Sequence, residues 1–132
     1  MADFFISYNK ADKSWAEWVA RILIENNYSI IIQEWDFRPG NSFVVCMDNA
    51  LKESNVLISV LSPDYLESEY CQAEWTSKFC EDPTGAQRKI IPIRVRETAI
   101  SGLLRSRIYI DLVGLEEEQA KERLLQGISQ ER

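Results

Sequence analysis

The sequence predicts an α/β fold: a doubly wound, five-stranded parallel sheet with helices on both faces. Two observations predict it. Short apolar runs alternate five times with segments whose apolar residues recur at helical spacing, and right-handed crossovers make the open doubly wound arrangement the economical one. The stretch "SNVLISVLS" is also nearly continuous in apolar residues, as a strand covered on both faces should be.

Phe4 to Ser7 forms the first strand, and Trp15, Trp18, Val19, Ile22 and Leu23 follow at helical spacing with Asp12 as N-cap. "YSIIIQEW" supplies a β-branched second strand. Pro39 and Gly40 in "DFRPGNS" break it, and Phe43, Met47, Ala50 and Leu51 mark one face of a second helix. The third strand ends at Ser62-Pro63, a turn that opens a third helix with Cys71, Trp75 and Phe79 on one face. "RKIIPIRV" is a fourth strand, in which Pro92 removes a ladder donor and so favours an edge or a bulge. "SRIYIDL" is a fifth. A last helix turns Ala120, Leu124, Leu125 and Ile128 inward behind an acidic first turn, Glu116 to Glu118, that suits the helix dipole. The expected strand order is the flavodoxin-like 2-1-3-4-5. Ligands of such sheets gather beyond the carboxyl ends of the strands, where the order reverses between strands 1 and 3. That rule selects the segments after Ser7, Trp35 and Leu61.

A chain of 132 residues, 45% hydrophobic and 27% charged, has the size of one globular domain, 1–132. It can equally be a module excised from a longer multidomain protein. No apolar stretch is long enough to cross a bilayer and "MADFF" lacks a signal-peptide pattern, so a cytoplasmic chain without a membrane partner is expected. Cys46, Cys71 and Cys80 are odd in number and lack paired C-x-x-C spacing, so they read as free thiols, Cys71 and Cys80 buried, with no metal site. The absence of histidine removes serine-histidine triads, imidazole bases and most catalytic zinc sites. A net charge of -6 opposes broad attraction to nucleic acid or anionic membrane. The glycine-rich phosphate motifs G-x-x-x-x-G-K-[ST] and G-x-G-x-x-G are absent. A phosphoryl-accepting receiver would need an acidic cluster after strand 1 and an aspartate ending strand 3, where this chain reads "SYNK" and "LSP".

Four stretches in order, "DFFISYNKAD", "EWDFRPGNSF", "VLISVLSPDYLES" and "IIPIRV", resemble the Toll/interleukin-1 receptor (TIR) domain across essentially the whole chain. The Trp-Asp-x-x-Pro-Gly loop looks more like bacterial members. In members that cleave NAD, a catalytic glutamate lies in a W-x-x-x-E pattern on the third helical segment, and the resemblance places Glu74 there with Tyr70 in the tryptophan position. It implies an NAD nucleosidase, with or without ADP-ribosyl cyclase activity, acting in bacterial immune signalling and activated by self-association. NAD would be the substrate and no cofactor is required. Nicotinamide leaves NAD neutral and needs no general acid, so one carboxylate that stabilises the cationic anomeric carbon could suffice. Around Glu74, Tyr70 would stack on a substrate ring, Trp35 and Phe43 would build the apolar wall, and Ser7 and Tyr8 would shape the floor. Lys10 and Arg38 would meet the pyrophosphate, and Asp36 belongs to the same loop.

Each residue also has a plainer reading. Glu74 stands four residues before Lys78, the orientation of a helix-surface ion pair. Tyr70 reads as a half-buried packing aromatic, Asp36 to Phe43 as a turn that Pro39 and Gly40 demand, and Lys10 and Arg38 as solvated charges. The alternative function is a non-catalytic TIR module that signals by homotypic assembly through the Asp36 to Phe43 loop.

Overall fold

The computed structural model describes residues 1–33 and 37–129. Its strands are β1 (Ala2–Ser7), β2 (Ile30–Ile32), β3 (Ser54–Leu61), β4 (Ile90–Arg94) and β5 (Ile110–Asp111). The helices among the described residues are α1 (Lys13–Glu25), α2 (Phe43–Lys52), α3 (Pro63–Glu67), α4 (Glu69–Glu81) and α5 (Glu117–Ile128), with 3-10 turns at Lys10–Asp12 and Gly102–Ser106. All pairings are parallel and the order is β2-β1-β3-β4-β5, as the alternation of runs predicts.

The period of two in the strands sorts the core into halves. Phe4, Ile6, Ile58, Val60 and Ile93 pack under α1 and α5, with Ala16, Val19, Leu23, Ala120 and Leu124. Phe5, Leu57, Leu61 and Ile90 face the other way, against Met47, Leu51, Tyr65, Cys71 and Trp75 of α2, α3 and α4. Ser7 and Ser59 are register partners at the carboxyl ends of β1 and β3. Two hydroxyls therefore lie side by side on an otherwise apolar sheet face.

Five expectations need correction. The third helix is two: the chain is extended at Ser68, whose Oγ accepts from the Cys71 N–H at 3.3 Å and starts α4 afresh. The fifth strand contracts to Ile110 and Asp111, the residues that pair with Ile93 and Arg94, while Ile108 is exposed. Pro92 sits in an inner strand, but β5 pairs only with Ile93 and Arg94, so the proline lies where β4 has no β5 partner. Asp12 precedes α1, but its carboxylate makes no cap bond and turns to Ser62 and Arg96 instead. Among the thiols, Cys71 is buried and Cys80 is exposed, contrary to the expectation for Cys80.

α5 closes tightly on β5. A Cβ on Gly127 would lie 2.5 Å from Ile110 Cγ1 and closer still to its Cδ1. Gly127→Ala is therefore expected to lower stability by up to about 2 kcal/mol, an overpacking cost of about 1–3 kcal/mol less a helix-propensity gain of about 1 kcal/mol. Urea midpoints of the two chains check this.

Candidate functional site

Ser62 follows β3 in extended conformation, and its Oγ accepts from the Tyr65 N–H at 3.1 Å with Pro63 in the first helical turn. This cap starts α3 directly over the ends of β1 and β3 and drives Tyr65 into the core. The Tyr65 side chain is fully buried, and its Oη lies 2.9 Å from Ser7 Oγ and 3.1 Å from Ser59 Oγ. Ser7 Oγ in turn donates to Glu74 Oε1 at 2.8 Å. Glu74 thus sits at one end of a row of three buried hydroxyls.

Glu74 is 6% exposed, and burial pushes its carboxyl up to about 7 against the opposing pull of the Ser7 bond. The ion pair expected with Lys78 does not form. Lys78 is itself buried and its Nζ turns away to donate to the Ser54 carbonyl at 2.9 Å and to pair with Glu81 at 3.4 Å. Periodicity alone cannot foresee this, because it treats residues four apart as neighbours without knowing which face is covered. The carboxyl therefore has no cationic partner among the described residues. Among the described residues its second oxygen takes part in no hydrogen bond and Arg107 Nε is the only sealed, unpartnered side-chain polar atom, so that oxygen is not sealed off by them.

Tyr70, one turn before Glu74 on α4, is exposed and meets the Phe43 ring edge-on at 5.1 Å, and Phe43 meets Phe37 at 5.6 Å. These rings form an aromatic rim between α4 and the start of α2. Tyr8 instead packs in the core half beneath α1 and α5, away from the Glu74 group. Lys10 and Arg38 are exposed and neither is hydrogen-bonded to that group. Trp35 and Asp36 lie outside the described residues. Two open clefts of about 730 and 770 Å³ lie elsewhere, one against β5 and one at the amino ends of β1 and β3, and Glu74 lines neither. Among the described residues no group of three or more histidine, cysteine or acidic side chains could hold a metal.

Sequence reasoning missed Tyr65, Ser59 and the Asp12–Arg96 pair. The available signal was the polar interruption of two apolar strands, "FFIS" and "LISVLS", since a serine there needs a partner.

A family model described as TIR domain matches residues 4–125. The chain belongs to the TIR domain family. Human Toll-like receptor 6 is 35% identical to it over 71 residues, which take in 53% of this TIR domain and 9% of the receptor. Toll-like receptor 4 of Pinctada imbricata is 34% identical over 74 residues, 54% of this chain and 8% of that one. The chain thus spans less than a tenth of the length of these receptors. Among solved structures, the TIR domain of the Toll-related receptor TRR-2 from Hydra magnipapillata superposes with a TM-score of 0.77 at 23% identity, covering 96% of this chain and 94% of that one. A TIR-STING receptor from C. gigas in complex with 2',3'-cGAMP gives 0.79 at 24% identity, covering 98% and 40%. The TIR domains of the activated Roq1 resistosome give 0.58 at 21%, covering 71% and 57%. These likenesses show the fold. No described helix is long and apolar enough to cross a membrane.

Proposed function

We propose that this TIR domain cleaves the nicotinamide–ribose bond of NAD, giving nicotinamide and ADP-ribose or a cyclic isomer, with Glu74 as the essential acid. The observation that carries the reading is a buried carboxyl without a cationic partner, one oxygen fixed by Ser7 and the other open. A carboxylate desolvated in this way is relieved by a ligand that brings its own positive charge. The pyridinium of NAD does so, and as the bond to nicotinamide breaks the charge moves to the anomeric carbon, where a fixed carboxylate stabilises it most. The ring edge of Tyr70 and Phe43 offers an apolar wall for the base.

Because Glu74 lines neither of the two open clefts, the reading includes completion of the site by a second copy of the domain, so that self-association switches activity on. The reading extends to a role in cytoplasmic immune signalling; the Pro39-Gly40 loop supports a bacterial type, while the receptors matched above are animal ones. The second reading, a non-catalytic module working by homotypic assembly, is favoured by the exposed Val44, Val45 and Tyr70 beside Phe43.

Chromatography of NAD incubated with the concentrated domain, run beside Glu74→Gln, tests the choice. Nicotinamide release is expected from the native chain, rising more steeply than the first power of its concentration, and at least about 10²-fold slower from the variant. Equal traces from both, even when the domain is clustered on beads, would leave the assembly reading.

A further inference from the structure

We infer that Tyr65 is a positioning residue that sets the ionisation of Glu74 through Ser7, an inference that rests on the NAD-cleaving reading for its consequence but not for its geometry. Tyr65 belongs to a tightly packed core half in which phenylalanine would fill the same space. Its hydroxyl is therefore an expense of burial unless it is bonded, and it is bonded to both members of the serine pair.

Proton counting gives the row a direction. Each hydroxyl holds one proton. When Glu74 is ionised Ser7 must give it a proton, so Ser7 can only accept from Tyr65, whose single hydroxyl proton then leaves Ser59, to which it otherwise donates. When Glu74 is protonated the row can run the other way, from the carboxyl through Ser7 and Tyr65 to Ser59. In the ionised state the Tyr65–Ser7 bond polarises the Ser7–Glu74 bond and strengthens it.

The other groups facing Glu74 offer no substitute. Ser7 comes from β1 and Tyr65 from α3. From α4, burial pushes the Cys71 thiol up to about 11, so it stays neutral, and the Lys78 ammonium is committed to Ser54 and Glu81. Asp12 is tied to Arg96 and Ser62. Tyr65 itself is clamped from behind, since Ser62 both caps α3 and donates to Asp12.

The test is a titration of side-chain carboxyl-labelled glutamate by NMR in the full chain, with Glu74→Gln assigning the signal. Ser59→Ala, which frees the Tyr65 proton for Ser7, is expected to lower the Glu74 midpoint, and Tyr65→Phe to raise it by about half a pH unit or more. The acid limb of NAD cleavage should move with it, lowering kcat roughly threefold at pH 6 while KM changes little. A Glu74 midpoint unchanged in both variants would overturn the inference. Should Tyr65→Phe fail to fold, Ser59→Ala, at the far end of the row, carries the test alone. A displaced midpoint in a chain whose native form releases no nicotinamide would sustain the positioning role and dismiss the NAD reading.

Discussion

Glu74→Gln is expected to melt several degrees above the native chain at pH 8 and level with it at pH 4. The carboxyl is raised from 4.5 to about 7 by burial, so between those values the folded chain holds a proton that the unfolded chain releases. For a raised acid the sign is fixed: this contribution to stability is fully present below 4.5, declines as pH rises toward 7 and is flat above it. Two and a half pH units correspond to about 3 kcal/mol of cost at pH 8, which glutamine, equal in size and uncharged, does not incur. Part of that gain is offset because the glutamine amide needs an acceptor that the open oxygen did not. The difference in melting temperature between the two chains, followed from pH 4 to 8, is the measurement. A variant less stable than the native chain at pH 8 would mean that the carboxylate has a stabilising cation nearby, and the case for a cationic ligand would fall with it. Higher stability together with lost NAD cleavage is the pattern of a residue kept for activity against the interest of the fold.

Arg96→Ala is expected to cost about 2 kcal/mol, the largest loss predicted for a single surface-reaching side chain. Arg96 Nε donates to Asp12 Oδ1 at 2.7 Å and its Nη2 to Asp12 Oδ2 at 3.3 Å and to Asp64. Removing it leaves the Asp12 carboxylate, 1% exposed, with the Ser62 hydroxyl but without its cation. Breaking a fully buried pair from one side costs about 3–5 kcal/mol, and the 41% exposure of Arg96 discounts that figure. Asp12→Asn in the same chain should recover part of the loss, so a double-mutant cycle by urea denaturation separates the pair from its surroundings. Amide exchange should quicken first in α3, whose cap shares the cluster. An Arg96→Ala chain with unaltered midpoint and unaltered α3 exchange would show the pair to be ornamental.

The sheet order was legible because it follows from two coarse signals, the alternation of strand and helix periods and the handedness of crossovers. Glu74 was singled out only through the family resemblance; its helical spacing to Lys78 pointed to a surface pair. Tyr65 was not legible at all. An aromatic after Ser-Pro looks like ordinary core, and only the register that brings Ser7 beside Ser59 gives its hydroxyl a purpose. The break at Ser68 was hidden for a related reason: serine is tolerated inside a helix, and only its cap bond to Cys71 reveals a new start. Tyr8, just after β1, packs in the core half beneath α1 and α5 while Ser7 faces the other half, an alternation that the Ser-Tyr spelling by itself does not display.

Among the described residues, the hydrogen-bonded supports of the Glu74 carboxyl come from β1, β3 and α3, and none from the Phe37 to Ser42 segment that carries Arg38, Pro39 and Gly40. Acid and loop are consequently separable inheritances. A lineage could rewrite the loop, and with it the choice of what the domain meets, while the acid keeps its setting in the middle of the sheet.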